Sequence, residues 1–82
     1  MSDTLERVKK VTAEVLKMDP AKIPDTANFV KDLGAESIQS IELVAAFEEE
    51  FDIEMDEDAA LGVQTIDTAV TFIDKVVAEQ HA

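Results

Sequence analysis

Cysteine is absent from the 82 residues. Its absence excludes a disulfide, a zinc–thiolate site and an iron–sulfur centre, and suits a reducing compartment. Histidine occurs once, at His81 beside the C-terminus, where little fixes the geometry of a general base. There is no P-loop and no GxGxxG run to cradle a phosphate. No apolar stretch approaches the ~20 residues that span a bilayer. The opening MSDTLERVKK lacks the apolar core of a secretory signal. The chain therefore reads as a cytoplasmic protein without membrane insertion, and its length as one domain over 1–82.

Positive charge is also scarce: seven Lys and Arg stand against nineteen Asp and Glu, a formal net charge of -12. Such a balance excludes nucleic acid or an anionic membrane as an electrostatic partner and calls for basic ones. Like-charge repulsion also favours a monomer. No Lys or Arg lies between Lys31 and Lys75, a stretch that holds Glu36, Glu42, Glu48, Glu49, Glu50, Asp52, Glu54, Asp56, Glu57, Asp58 and Asp67. These acids read either as a solvated face or as a docking surface. They do not form an EF-hand. Counted from Asp52 the sixth residue is Glu57, and from Asp56 it is Leu61, where that loop needs glycine. No metal site is expected beyond loose, nonspecific binding. A hydrophobic content of 46% opposes the disorder that high net charge otherwise suggests.

The apolar residues that are present follow a helical period. Leu5, Val8, Val11, Val15 and Leu16 share a face of a helix over about 3–17. Ser2 or Asp3 is its N-cap, Asp3 and Glu6 have capping-box spacing, and Pro20 is its stop. A long loop follows, broken by Pro20, Pro24 and Gly34 and pinned by Ile23, Phe29, Val30 and Leu33. SIQSIELVAAFEEEF makes a second helix over about 37–50. Leu43, Val44, Phe47 and Phe51 form its core face. Ile38, Ile41 and Ala45 form a neighbouring stripe bordered by Glu42 and Glu48 or Glu49. That stripe is either a widened core face or a docking surface. A short helix around 57–61 ends at Gly62. The last helix, about 66–79, is capped by Thr65 and buries Ile66, Ala69, Val70, Ile73, Val76 and Val77. No segment alternates as a strand. The fold class is all-α: a small bundle of three main helices plus one short helix, with a long loop between helices 1 and 2.

Ser37 stands where the second helix begins. Serine is a favoured N-cap, and position alone favours that structural role. A helix N-terminus also suits an anion, so a phosphodiester on Ser37 would sit well there. Gly34 lets the chain turn sharply just before it.

Around this serine the sequence resembles the acyl carrier proteins. FVKDLGAESIQSIELVAAFEEEFDIEM, residues 29–55, carries the likeness. The family has an Asp-Leu-Gly run, then Asp-Ser-Leu, then an acidic amphipathic helix ending in Glu-Glu-Glu-Phe. RVKKV in the first helix and TAVTFID in the last fit at similar spacings, so the resemblance spans nearly the whole chain. It implies a 4′-phosphopantetheine arm on Ser37, placed there from coenzyme A by a phosphopantetheinyl transferase. The arm's thiol would hold acyl intermediates as thioesters, so a cysteine-free chain does thiol chemistry with imported sulfur and is itself no enzyme. The partners implied are acyl-transferring, condensing and modifying enzymes with basic docking patches, in fatty-acid or polyketide and other lipid biosynthesis. Matching docking positions are Glu36, Ile38, Ile41, Glu42, Ala45, Glu48 and Met55. Matching acyl-cavity positions are Phe29, Leu43, Val44, Phe47, Ala60, Val63, Ala69 and Phe72.

The sequence departs from the family at several of these points. Glu36 and Gln39 stand where aspartates are usual, and Ile38 and Phe47 where leucines are. Ala45 replaces a larger residue and Asp56 a proline. Together the changes suggest a specialised carrier, with Glu36 bearing on the choice of transferase and Phe47 on acyl length. Two other classes stay open: an aminoacyl or peptidyl carrier, which LGAES fits less well, and an unmodified acidic interaction module in which Ser37 only caps.

Overall fold

In a computed structural model, which describes residues 3–81, the chain folds as helices α1 (Thr4–Leu16), α2 (Ser37–Phe51), α3 (Glu57–Leu61) and α4 (Ile66–Gln80), with a 3₁₀ turn at Pro20–Lys22. This is the expected all-α bundle, and no strand occurs among the described residues. α1 lies against both α2 and α4. Its Val8 and Val11 are buried with Leu43, Phe47 and Phe51 of α2 and Ile66, Ala69 and Ile73 of α4, while Leu5, Val15 and Leu16 flank that core.

Both ends of α1 differ from expectation. Asp3 occupies the N-cap but its side chain makes no cap hydrogen bond, so the Asp3–Glu6 capping box does not form; Ser2 lies outside the described residues. The helix ends before Pro20. Lys17 takes a left-handed conformation (φ 57°), and its N–H and that of Met18 both bond the Ala13 carbonyl. The two donors converge on that one carbonyl, a left-handed closure that ends the helix. Pro20 instead opens the 3₁₀ turn, where the Asp19 carboxylate accepts the Ala21 N–H at 2.9 Å. Two threonines outside the apolar pattern are also buried. The Thr12 hydroxyl donates to the Val8 carbonyl at 2.7 Å, and the Thr4 hydroxyl reaches the Asp74 carboxylate on α4.

The loop from α1 to α2 is tightly stitched. Ile23, Ala27, Phe29 and Ala35 are buried. Phe29 N–H donates to the Gln64 carbonyl, and Ile66 N–H to that of Ala27, each at 2.9 Å, so the loop pairs with the entry to α4. Val30 does not pin it: Val30 is 58% exposed. Asn28 Oδ1 accepts the N–H groups of Val30 and Lys31, at 2.9 Å each, in an Asx turn. That turn follows the asparagine's own backbone chemistry rather than the side chain's hydropathy.

Of the remaining caps, Gly62 and Thr65 follow the expectation and Asp56 is an addition. Asp56 caps α3 by accepting the Asp58 N–H at 3.0 Å, and Gly62 closes it. Thr65 and Thr68 cap α4 reciprocally, with N–H···Oγ1 distances of 3.1 and 3.4 Å. Val70, Val76 and Val77 border the buried Ile66, Ala69 and Ile73 as half-buried residues. Beyond α4, His81 is more fixed than a penultimate residue is expected to be: its Nε2 lies 2.6 Å from the Asp52 carbonyl oxygen. No helix among the described residues is long and apolar enough to cross a membrane.

Candidate functional site

The segment that leads into α2 is held residue by residue. Gly34 has φ 73°, where a side chain is strained, and its N–H bonds the Val30 carbonyl at 3.1 Å. Ala35 is buried, and its N–H bonds the Phe29 carbonyl at 2.8 Å. Glu36 N–H bonds Gln39 Oε1 at 2.9 Å. Glu36 is extended (φ −87°, ψ 169°) and is the N-cap of α2. The capping role expected of Ser37 therefore falls one residue earlier, and Ser37 is the first helical residue. Ser37 is exposed, and its hydroxyl makes no hydrogen bond among the described residues. First-turn N–H groups of a helix have no intrahelical acceptor. Ser37 thus offers a free hydroxyl at the positive end of a 15-residue helix.

Beside it, the stripe expected to meet partners is on the surface. Ile38 is 66% and Ile41 70% exposed, and Glu36, Glu42 and Ala45 are exposed too. The stripe is not a widened core face. Glu48 and Met55 differ from the rest of the set. Both are half-buried, and the Glu48 carboxylate accepts the Met55 N–H at 3.0 Å, which ties α2 to the segment before α3.

The proposed cavity residues divide between the core and its margin. Phe29, Leu43, Phe47, Ala60 and Ala69 are buried. The rings of Phe29 and Phe47 meet with centroids 6.4 Å apart and planes tilted by 55°. Val63 packs at the edge of the core, and Val44 is half-buried. Phe72 is half-buried and lines an open groove of about 360 Å³ with Asp67, Thr68, Thr71 and Lys75. Among the described residues no group of three or more acidic or histidine side chains is placed to hold a metal ion.

Sequence reasoning missed Ala27 and Ala35, both buried, and Gln39 as a capping residue. The signal for Gln39 was present: a Glu/Gln three residues past the cap is half of a capping box.

Comparison with known proteins adds to this geometry. Residues 6–73 match the family described as "Phosphopantetheine attachment site". The chain is similar to a protein named acyl carrier protein in Caulobacter vibrioides (strain NA1000 / CB15N), with 54% identity over 78 residues that cover 95% of this chain and all of the relative. A protein of the same name in Phenylobacterium zucineum (strain HLK1) is 56% identical over 73 residues, 89% of this chain and 92% of the relative.

Proposed function

From the premise that this chain belongs to the acyl carrier proteins, we propose that Ser37 is its attachment residue and that 1–82 forms one carrier domain. The protein is a carrier and not a catalyst, and its prosthetic group is 4′-phosphopantetheine. One observation carries the assignment of Ser37: an exposed, unbonded hydroxyl on the first residue of α2. A phosphate esterified there meets the N–H groups and dipole of the first turn, which fits the group.

In the attachment step the Ser37 hydroxyl displaces the nucleotide half of coenzyme A at the phosphorus that bears pantetheine. An Oγ–P bond forms, the pyrophosphate bond breaks, and the adenosine bisphosphate leaves with the bonding pair. The serine proton is released. Once attached, the arm supplies the thiol that this cysteine-free chain lacks and holds an acyl group as a thioester.

Partners are the phosphopantetheinyl transferase and biosynthetic enzymes. In our reading their basic patches meet Glu36 and Glu42 while apolar side chains cover Ile38, Ile41 and Ala45, with Glu48 and Met55 at the far end. Exposed ion pairs are worth ~0–1 kcal/mol each, so each contact is brief, as a shuttle requires. Phe29, Leu43, Val44, Phe47, Ala60, Val63, Ala69 and Phe72 form the acyl-sheltering set, and the carrier acts as a cytoplasmic monomer.

The test is intact mass after incubation with coenzyme A and a broad-specificity phosphopantetheinyl transferase. Wild type is expected to gain one phosphopantetheine and Ser37→Ala none. A gain in Ser37→Ala would remove the assignment.

A further inference from the structure

We infer that Gln39 is a positioning residue for Ser37, an inference that rests on the reading of Ser37 as the modified residue. Three consecutive N–H groups precede Ser37, and each has an acceptor. Gly34 and Ala35 bond backbone carbonyls within the loop. Glu36 alone depends on a side chain, the Gln39 carboxamide oxygen at 2.9 Å. On the other side, the Glu36 carbonyl accepts from Ser40 N–H at 2.9 Å and from Ser40 Oγ at 3.3 Å. The peptide groups on both sides of Glu36 are thus fixed, and the next residue is Ser37.

The arrangement explains why Ser37 is free. A serine at a helix start ordinarily spends its oxygen on an N–H of the first turn. Here Glu36 takes the N-cap position and Gln39 Oε1 reaches back to the N-cap N–H, as the third residue of a capping box does. The Ser37 oxygen is left for chemistry. Gln39 is half-buried, so its role is to hold the backbone that presents the hydroxyl rather than to contact the donor.

The experiment measures phosphopantetheine transfer from coenzyme A to wild type, Gln39→Ala and Gln39→Glu, with amide hydrogen exchange at Glu36 and melting temperature read on each unmodified protein. Alanine is the stronger helix former, so α2 persists while the acceptor is lost. Glutamate restores the acceptor. Gln39→Ala is expected to expose the Glu36 amide to exchange and to lower transfer efficiency about five-fold, the factor of one lost cap bond, mainly through KM for the carrier. Gln39→Glu is expected to recover both. Wild-type efficiency in Gln39→Ala would overturn the inference while leaving Ser37 in place. Equal loss in both variants, with Glu36 still protected in Gln39→Glu, would also overturn it and assign Gln39 a direct contact. If wild type itself accepts no phosphopantetheine, the reading of Ser37 fails and this role with it, and exchange at Glu36 then reports capping alone.

Discussion

Ser37 could be picked out of the sequence, but its job could not be separated from that of its neighbours. Position alone favoured a cap, and the structure moves the cap to Glu36. The off-by-one is a matter of backbone, since Glu36 is extended and Ser37 is already helical, and residue types alone do not decide where that change falls. Glu36 and Ile38 flank the hydroxyl and are exposed. If they restrict which transferases dock, the double substitution Glu36→Asp with Ile38→Leu should raise the rate with a broad-specificity transferase; an unchanged rate would show that neither residue selects. Phe47 is the other informative position. It points inward against Phe29, so its ring fills volume an acyl chain could use. Short or medium acyl groups should therefore raise the melting temperature of the loaded protein more than long ones. Phe47→Leu should shift that preference to longer chains at a stability cost of roughly 1–2 kcal/mol, because it removes buried ring volume. A long-chain preference in wild type would refute this.

At the scale of elements, the periodicity placed every helix within about a residue of its observed bounds, because the apolar spacing and the Thr65 and Gly62 signals agree. What periodicity could not show was the loop's pairing with α4 or the contacts made by the end of α4, since both join residues far apart in sequence. The Gln80 carboxamide accepts the Glu54 N–H at 2.8 Å and donates to the Glu54 carbonyl at 2.7 Å. With His81 on Asp52, the end of α4 clasps the segment that leads into α3. Removing two exposed hydrogen bonds with Gln80→Ala should lower stability by about 1 kcal/mol, or roughly 4–8 °C in Tm for a domain of this size. Faster amide exchange over Glu54–Ala60 should accompany it. Loss of the α4 cap in Thr65→Ala should likewise cost about 1 kcal/mol, with exchange rising across the first turn of α4 instead. Identical exchange patterns in the two variants would mean that neither contact acts locally.

The whole molecule is governed by its charge. Of the seven cationic side chains, Arg7 is bound to Glu50 at 2.8 Å and lies 4.3 Å from the centre of the Phe51 ring, and Lys9 pairs with Asp25. These pairs join α1 to α2 and to the loop, so they compensate little of the acidic surface past Lys31. The molecule measures 33 × 28 × 18 Å. The Debye length is about 30 Å at 0.01 M salt and about 10 Å at 0.1 M. At the lower salt, carboxylates on opposite sides repel one another; at the higher, only neighbours do. Salt should therefore act with opposite signs on the two properties of this carrier. Self-repulsion in the folded state is screened, so Tm should rise from 0.01 to 0.1 M sodium chloride. Attraction between the acidic stripe and a basic partner is screened as well, so KM for the carrier in phosphopantetheine transfer should rise over the same interval, with kcat little changed. Glu42→Gln separates the two causes, because it removes one charge of the proposed docking stripe while barely altering the net charge of -12. It should flatten the salt dependence of KM and leave that of Tm in place. A KM indifferent to salt in wild type would show that the exposed Ile38 and Ile41, not the acids, hold the partner.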